Sequence, residues 1–196
     1  MKRREAVGAM AMAALTAAFK WTPAEAAKAA EFAQTALKAK TPFVPAFFTP
    51  HEWDTVRVLA DLVIPRDDRS GSATEAGVPE YMDFMLNDRP DGQTPMRGGL
   101  AWLDNECFER YTKTFVAATP AEQSSVLDDI AWPKKAKPEL SQGVAFFNMF
   151  RDMTASGFWS SKMGVTDLNY QGNTFVAEWK GCPPEALQKL GVQYED

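Results

Sequence analysis

Apolar residues recur along this chain at helical spacing almost everywhere. Val56, Leu59, Ala60 and Val63 repeat at three- and four-residue intervals, with Arg57 and Asp61 between them. Leu100, Leu103, Cys107 and Tyr111 do the same, as do Val126, Leu127 and Ile130, and Leu140, Val144, Phe147 and Phe150. Met82, Met85 and Leu86 can share one face of a further segment. No run alternates β-branched and polar residues at a period of two, so the pattern predicts an all-α fold, a single compact helical domain.

Local chemistry places the ends of these helices. Thr22-Pro23-Ala24-Glu25, Thr49-Pro50-His51-Glu52 and Thr119-Pro120-Ala121-Glu122 each read as a capping box. In each, the threonine hydroxyl accepts from a first-turn N–H, the glutamate reaches back, and proline takes the first helical position at no hydrogen-bonding cost. Phe48 and Trp53 flank the second box at the spacing of a hydrophobic staple. That helix must stop at Ile64, because Pro65 pushes the preceding residue out of the helical region. A loop follows in which Gly71 and Gly77 permit positive φ, and Val78-Pro79 opens the next helix. Asn87 to Met96 reads as a polar turn, with Gly98-Gly99 weakening the next helical start or allowing close approach. Trp132 to Pro138, with Lys134, Lys135 and Lys137, is a basic loop: a solvated linker, or a docking patch for an acidic surface. The helix from Pro138 should stop at Gly157. Phe158 to Phe175 then reads as a long irregular segment with short helical pieces, a kind of stretch that often lies against a partner. Pro183-Pro184 can begin a last short helix with Leu187 and Leu190.

The N-terminus changes the picture. Met1-Lys2-Arg3-Arg4-Glu5 precedes an apolar, alanine-rich run from Ala6 to Phe19 that is too short to span a bilayer stably. Arg3-Arg4 resembles a twin-arginine export signal, although Lys2 precedes the pair and Ala6-Val7 replaces a bulkier dipeptide. Ala24-Glu25-Ala26 offers a small-residue cleavage site. The expected organisation is a signal peptide over 1–26, a helix and extended lead-in over 27–48, and the helical domain over 49–196. An uncleaved helical N-terminus is the other reading. If cleavage follows Ala26, the first helix loses its cap and should fray. The phenylalanines of the lead-in, Phe43, Phe47 and Phe48, must bury either in the core or on a partner. The formal net charge of −5 argues against a nucleic-acid module, and of the 13 Phe and 6 Trp most should be core, with any surplus marking an interface.

The search for chemistry yields little. Cys107 and Cys182 read, in an exported protein, as one disulfide, which the chain-entropy model values at about 4.5 kcal/mol; two unpaired thiols are the alternative. His51 is the only histidine, and no Gly-x-Ser-x-Gly elbow accompanies it. There is no Cys-x-x-Cys-His haem attachment, no cysteine cluster for an iron–sulfur centre and no Gly-x-Gly-x-x-Gly. Asp61, Asp67, Asp68 and Glu75 are the densest acidic group, but Val78 and Pro79 fall where a calcium loop needs its closing glutamate. Loop capping and salt bridges to Arg66 or Arg69 are the expected use of these acids.

The stretch Asp61, Val63-Ile64-Pro65, Glu75-Ala76-Gly77-Val78 and Tyr81-Met82-Asp83 resembles the signature of the gluconate 2-dehydrogenase subunit 3 family, with Gly71-Ser72-Ala73 where Pro-Gly-Ala is common. A second match is Tyr170-Gln171-Gly172-Asn173 with Trp179-Lys180-Gly181-Cys182-Pro183. The resemblance implies a non-catalytic small subunit of a periplasmic sugar or polyol dehydrogenase complex. Its partners would be a large FAD-dependent catalytic subunit, often with an iron–sulfur cluster, and a cytochrome c subunit. No cofactor is expected on this chain, and membrane association is expected only through the complex. The expected partner interface is Ile64, Pro65, Glu75, Gly77 and Val78 with Trp159, Tyr170 and Trp179. A stand-alone periplasmic carbohydrate-binding or hydrolytic protein, with Trp159, Tyr170 and Trp179 stacking on sugar rings, is the rival expectation.

Overall fold

The structure is a computed structural model that describes residues 22–39, 41–169, 178 and 181–193. Among these residues the chain forms eight α-helices and two 3-10 turns, and no strand. In chain order they are α1 (Pro23–Lys38), α2 (Pro50–Val63), α3 (Val78–Asp88), a 3-10 turn (Pro90–Gly92), α4 (Gln93–Tyr111), α5 (Pro120–Ala131), a second 3-10 turn (Pro138–Leu140), α6 (Ser141–Ser160), α7 (Lys162–Asp167) and α8 (Pro184–Leu190). Arg3 and Arg4 of the expected export signal, and both Tyr170 and Trp179, lie outside the described residues.

All three capping boxes form as the local sequence dictates. Thr22, Thr49 and Thr119 accept from the N–H of Glu25, Glu52 and Glu122, whose carboxylates return to the cap N–H groups. α2 ends at Ile64, directly before Pro65. Around these starts the helices assemble on α6, which packs against α1, α2, α3, α4, α5 and α7. Phe146, Phe150, Met153 and Phe158 of α6 are buried with Leu59, Tyr81, Met82, Leu86, Leu103 and Ile130 in one continuous core. Phe47 and Phe48 join that core, and Phe43 lies between the rings of Phe32 and Trp53 at 6.0 and 5.3 Å, so the lead-in aromatics bury within this chain.

Helix-to-helix contacts overrode one local stop signal and moved one helix start. α6 runs through Gly157 to Ser160, so the expected stop at Gly157 is corrected, and Phe158 to Ser160 are helical rather than irregular. The glycine is there for packing: a Cβ at 157 would come within 2.9 Å of the Tyr81 ring. α4 starts at Gln93, inside the expected polar turn, and continues through both Gly98 and Gly99. Gly99 seats the Phe146 ring of α6, and Gly143 of α6 seats the Trp102 ring of α4. This reciprocal exchange draws the two helix axes together. A Cβ at 99 would fall 1.8 Å from the Phe146 ring, whereas nothing lies within 4 Å of one at 98. Lys162–Asp167 is likewise helical, its start capped by Ser161 Oγ, which accepts from Gly164 N at 3.0 Å.

The expected Cys107–Cys182 disulfide is not formed. Cys107 is a free thiol on the inner face of α4, fully buried, while Cys182 lies in an exposed segment. Burial, with Asp104 adding to it, pushes the Cys107 thiol up to about 11, so it behaves as a small apolar core residue.

Two predictions follow from this packing. Gly99→Ala should cost about 1–3 kcal/mol by forcing Phe146 from its rotamer, whereas Gly98→Ala should stabilise by up to about 1 kcal/mol through helix propensity. Urea denaturation of the two variants measures both signs at neighbouring positions. Glu80 is 8% exposed and its Oε2 has no hydrogen-bond partner; burial pushes its carboxyl above the ordinary value of 4.5. The folded state therefore holds this proton longer than the unfolded chain does, and Glu80 contributes a loss of stability as pH rises from 4.5 through its raised value. Thermal melts across that window should show the fall in the native protein and its absence in Glu80→Gln.

Candidate functional site

The segment from Ile64 to Val78 is built by its own acids. Asp61, on the last turn of α2, accepts from Thr74 N at 2.7 Å, and Ala73 N donates to Ile64 O at 2.9 Å, so the loop returns to the end of the helix that began it. Asp67 Oδ1 accepts from Arg69 N and Ser70 N, each at 2.8 Å. Glu75 Oε2 accepts from Ser72 N at 2.8 Å, while its other oxygen takes the Arg66 guanidinium. The Ser70 and Arg69 amides hold the Asp67 carboxyl below its ordinary range; the Ser72 amide, then Arg66, do the same for Glu75. Gly77 closes the loop at φ +84°, a left-handed conformation that lets Val78 N reach Ala73 O at 3.0 Å and start α3. Loop capping is thus the use to which Asp61, Asp67 and Glu75 are put.

A second acid ties α3 to the lead-in. Asp83 is 2% exposed, and its carboxylate accepts from Ala46 N, Phe47 N and Phe48 N at 2.8, 2.9 and 3.2 Å. Arg97 of α4 holds the same strip from the other side, donating to Phe47 O at 2.8 Å and to both Glu52 oxygens, with its guanidinium 4.4 Å over the Phe47 ring. Sequence reasoning matched Asp83 to the signature without finding this work, and missed Arg97. The available signal was an ionisable residue inside the otherwise apolar Tyr81–Leu86 face. His51, half-exposed on α2, meets the Asp104 carboxylate, whose other oxygen accepts from Phe115 N at 2.9 Å; this is a tie between helices.

Two clefts border these elements. The larger, about 660 Å³, is walled by Gln34 and Leu37 of α1, Arg69 to Gly71 and Glu75 of the loop, and Lys162, Met163 and Asp167 of α7. Arg69 crosses one end to Asp167 at 3.1 Å. Among the described residues no aromatic ring lines it. The smaller, about 390 Å³, lies between Thr22, Pro23 and Ala26 of α1 and Ala155, Ser156 and Trp159 of α6. Among the described residues, no group of three or more His, Cys, Asp or Glu is placed to hold a metal.

The expected interface residues separate. Pro65 and Glu75 are exposed on the loop rim with Arg66, Asp67 and Arg69, and Ile64 is half-buried at its root. Gly77 and Val78 are corrected: they are buried in this chain, with Ala33 and Leu37 of α1 lying directly over Gly77. The helix can lie this close because Gly77 has no side chain to hold Ala33 and Leu37 away. Trp159 is 40% exposed but borders the other cleft.

Residues 50–178 match the family model described as Gluconate 2-dehydrogenase subunit 3. No curated protein and no solved structure matches the chain. The matched span begins at the first residue of α2, so α1, which covers the end of the loop, lies outside it.

Removing the Asp83 carboxylate tests how the loop's support is held. Asp83→Ala leaves the backbone donors of residues 46–48 without an acceptor and should cost on the order of 3 kcal/mol; Asp83→Asn, which keeps one oxygen, should cost less. Chemical denaturation of the two variants orders them, and equal costs would show that side-chain volume, not the acceptor, matters.

Proposed function

The chain belongs to the gluconate 2-dehydrogenase subunit 3 family, and from that membership we propose that it is the small, non-catalytic subunit of a periplasmic dehydrogenase complex. In this reading a large FAD-dependent subunit oxidises a sugar or polyol. An iron–sulfur cluster and a cytochrome c haem on partner chains carry the electrons onward. This chain supports folding and stability of the catalytic subunit and, through Arg3 and Arg4, takes it across the membrane by the twin-arginine route. Among the described residues no helix is long and apolar enough to cross a membrane, and membrane association is assigned to the complex.

The observation that carries the proposal is where the acids point. Acid–base work near neutral pH needs a carboxyl raised above its ordinary range, whereas Asp67 and Glu75 are held below theirs. Asp61, Asp67 and Glu75 instead accept from the backbone of their own loop, and Asp83 from the lead-in. Such an arrangement spends its charged groups on holding shape. The result is a rigid rim of Pro65, Arg66 and Arg69 beside an open groove, suited to receiving another protein. The surface arginines contribute little to this chain's own stability, since exposed pairs are worth about 0–1 kcal/mol, so they are available for a partner.

Co-expression tests this. The catalytic flavoprotein produced without this chain should be inactive or stay in the cytoplasm, and Arg3→Lys with Arg4→Lys should strand both chains there. Arg66→Glu with Arg69→Glu should leave the melting temperature of this chain within a few degrees of native, yet lower recovery of the flavoprotein on a tagged copy by at least about tenfold, the loss expected from reversed charge at an interface. Full periplasmic activity in cells lacking this chain would sink the proposal.

A further inference from the structure

The small-residue run Ala24-Glu25-Ala26 sits inside the first turn of α1. Ala26 N donates to Thr22 O at 3.1 Å, and the Glu25 carboxylate accepts from both Thr22 N and Thr22 Oγ1 at 2.8 Å. The same carboxylate reaches Arg89 just beyond α3 at 3.4 Å. Ala26 is half-buried and faces the cleft toward Ala155 and Trp159. One turn further on, Ala29, Ala30 and Ala33 are buried at 0%, 8% and 2% exposure.

A peptidase that reads small side chains one and three positions before the cut needs both to point the same way. An extended backbone gives that, because alternate residues share a face; in a helix they project about 200° apart. Here Ala24 faces solvent and Ala26 faces α6. We propose that folding of α1 masks this processing site. Cleavage after Ala26 then proceeds only from molecules whose first helical turns have opened, so the Thr22 cap and the Glu25–Arg89 pair set its rate. This rests on the export reading above. A chain carried across the membrane already folded keeps residues 1–26 attached, and only one that opens on arrival is trimmed.

The test uses the full chain in detergent micelles with a solubilised leader peptidase, followed by intact-mass measurement. The native chain should stay whole. Ala33→Asp, which forces a charge under α1 and leaves the recognition residues unaltered, should lose residues 1–26 rapidly. Thr22→Ala should fall between them, cut about 2–30 times faster than native, the range expected from loss of one helix cap when cleavage samples the open population. Equal cleavage of native and Ala33→Asp chains overturns the masking. An Ala33→Asp chain that is never cut after Ala26 also overturns it, by removing the site. Neither result touches the subunit reading, which is judged by recovery of the flavoprotein.

Discussion

A single buried carboxylate sets the relative positions of the first three helices. Asp83 projects from α3 into the core and takes the N–H groups of residues 46–48, which come straight before the Thr49 cap of α2. Taking a carboxylate out of water is costly unless several donors replace it, and charge-assisted hydrogen bonds are roughly twice as strong as neutral ones. The lead-in supplies those donors because its extended, proline-punctuated backbone has no helix of its own to satisfy. Arg97 then takes the Phe47 carbonyl and Glu52, so the strip between α1 and α2 is held by an acid on its donor side and a base on its acceptor side. With that strip fixed, α2 leaves in one direction only, and the loop at its far end is delivered over α3.

The second constraint is steric. α6 lies against six other helices, and an assembly this dense needs places where axes approach closely. Gly99 and Gly143 provide them for α4 and α6 by each admitting an aromatic ring from the other helix, and Gly157 does so for Tyr81 of α3. Helical glycine costs about 1 kcal/mol of propensity at each position. Burying a Phe, Trp or Tyr ring against the backbone returns more than that, since full burial of a large side chain is worth about 1.5–3 kcal/mol. A well-packed base of this kind lets the loop from Ile64 to Val78 keep one shape while carrying five charged side chains on its surface and rim.

What could be read from the sequence follows the range of the interaction concerned. Capping boxes act over three residues, and Thr22, Thr49 and Thr119 all start helices where the local pattern placed them. The stop at Pro65 is a clash between neighbours, and it too was legible. Gly157 misled because glycine has two meanings, whereas the close approach expected as one use of Gly98-Gly99 is found at Gly99. As a local signal it breaks a helix; in three dimensions it admits a ring from a residue dozens of positions away. The cysteines misled for a similar reason: spacing alone does not reveal that Cys107 faces the core while Cys182 stays outside. The acids of the loop were rightly expected to cap it. Asp83 was seen only as part of a motif, because its partners lie more than thirty residues earlier and donate through backbone atoms that every sequence has.

α1 packs against α3 and α6 although it lies before the matched family span. Gly77 ends the loop, and Ala33 and Leu37 of α1 lie over it. Beside this covered glycine the Gln34 amide donates to Ala76 O at 3.3 Å. A bulkier helix would stand off and expose the positive-φ glycine on which the loop closes. Thr22 to Ala26 contribute the cap and the Arg89 pair, which hold the helix end without filling the core. The helix is thus divided along its length: its second half packs over the end of the loop, and its first turn is held by the Thr22 cap and the Glu25–Arg89 pair.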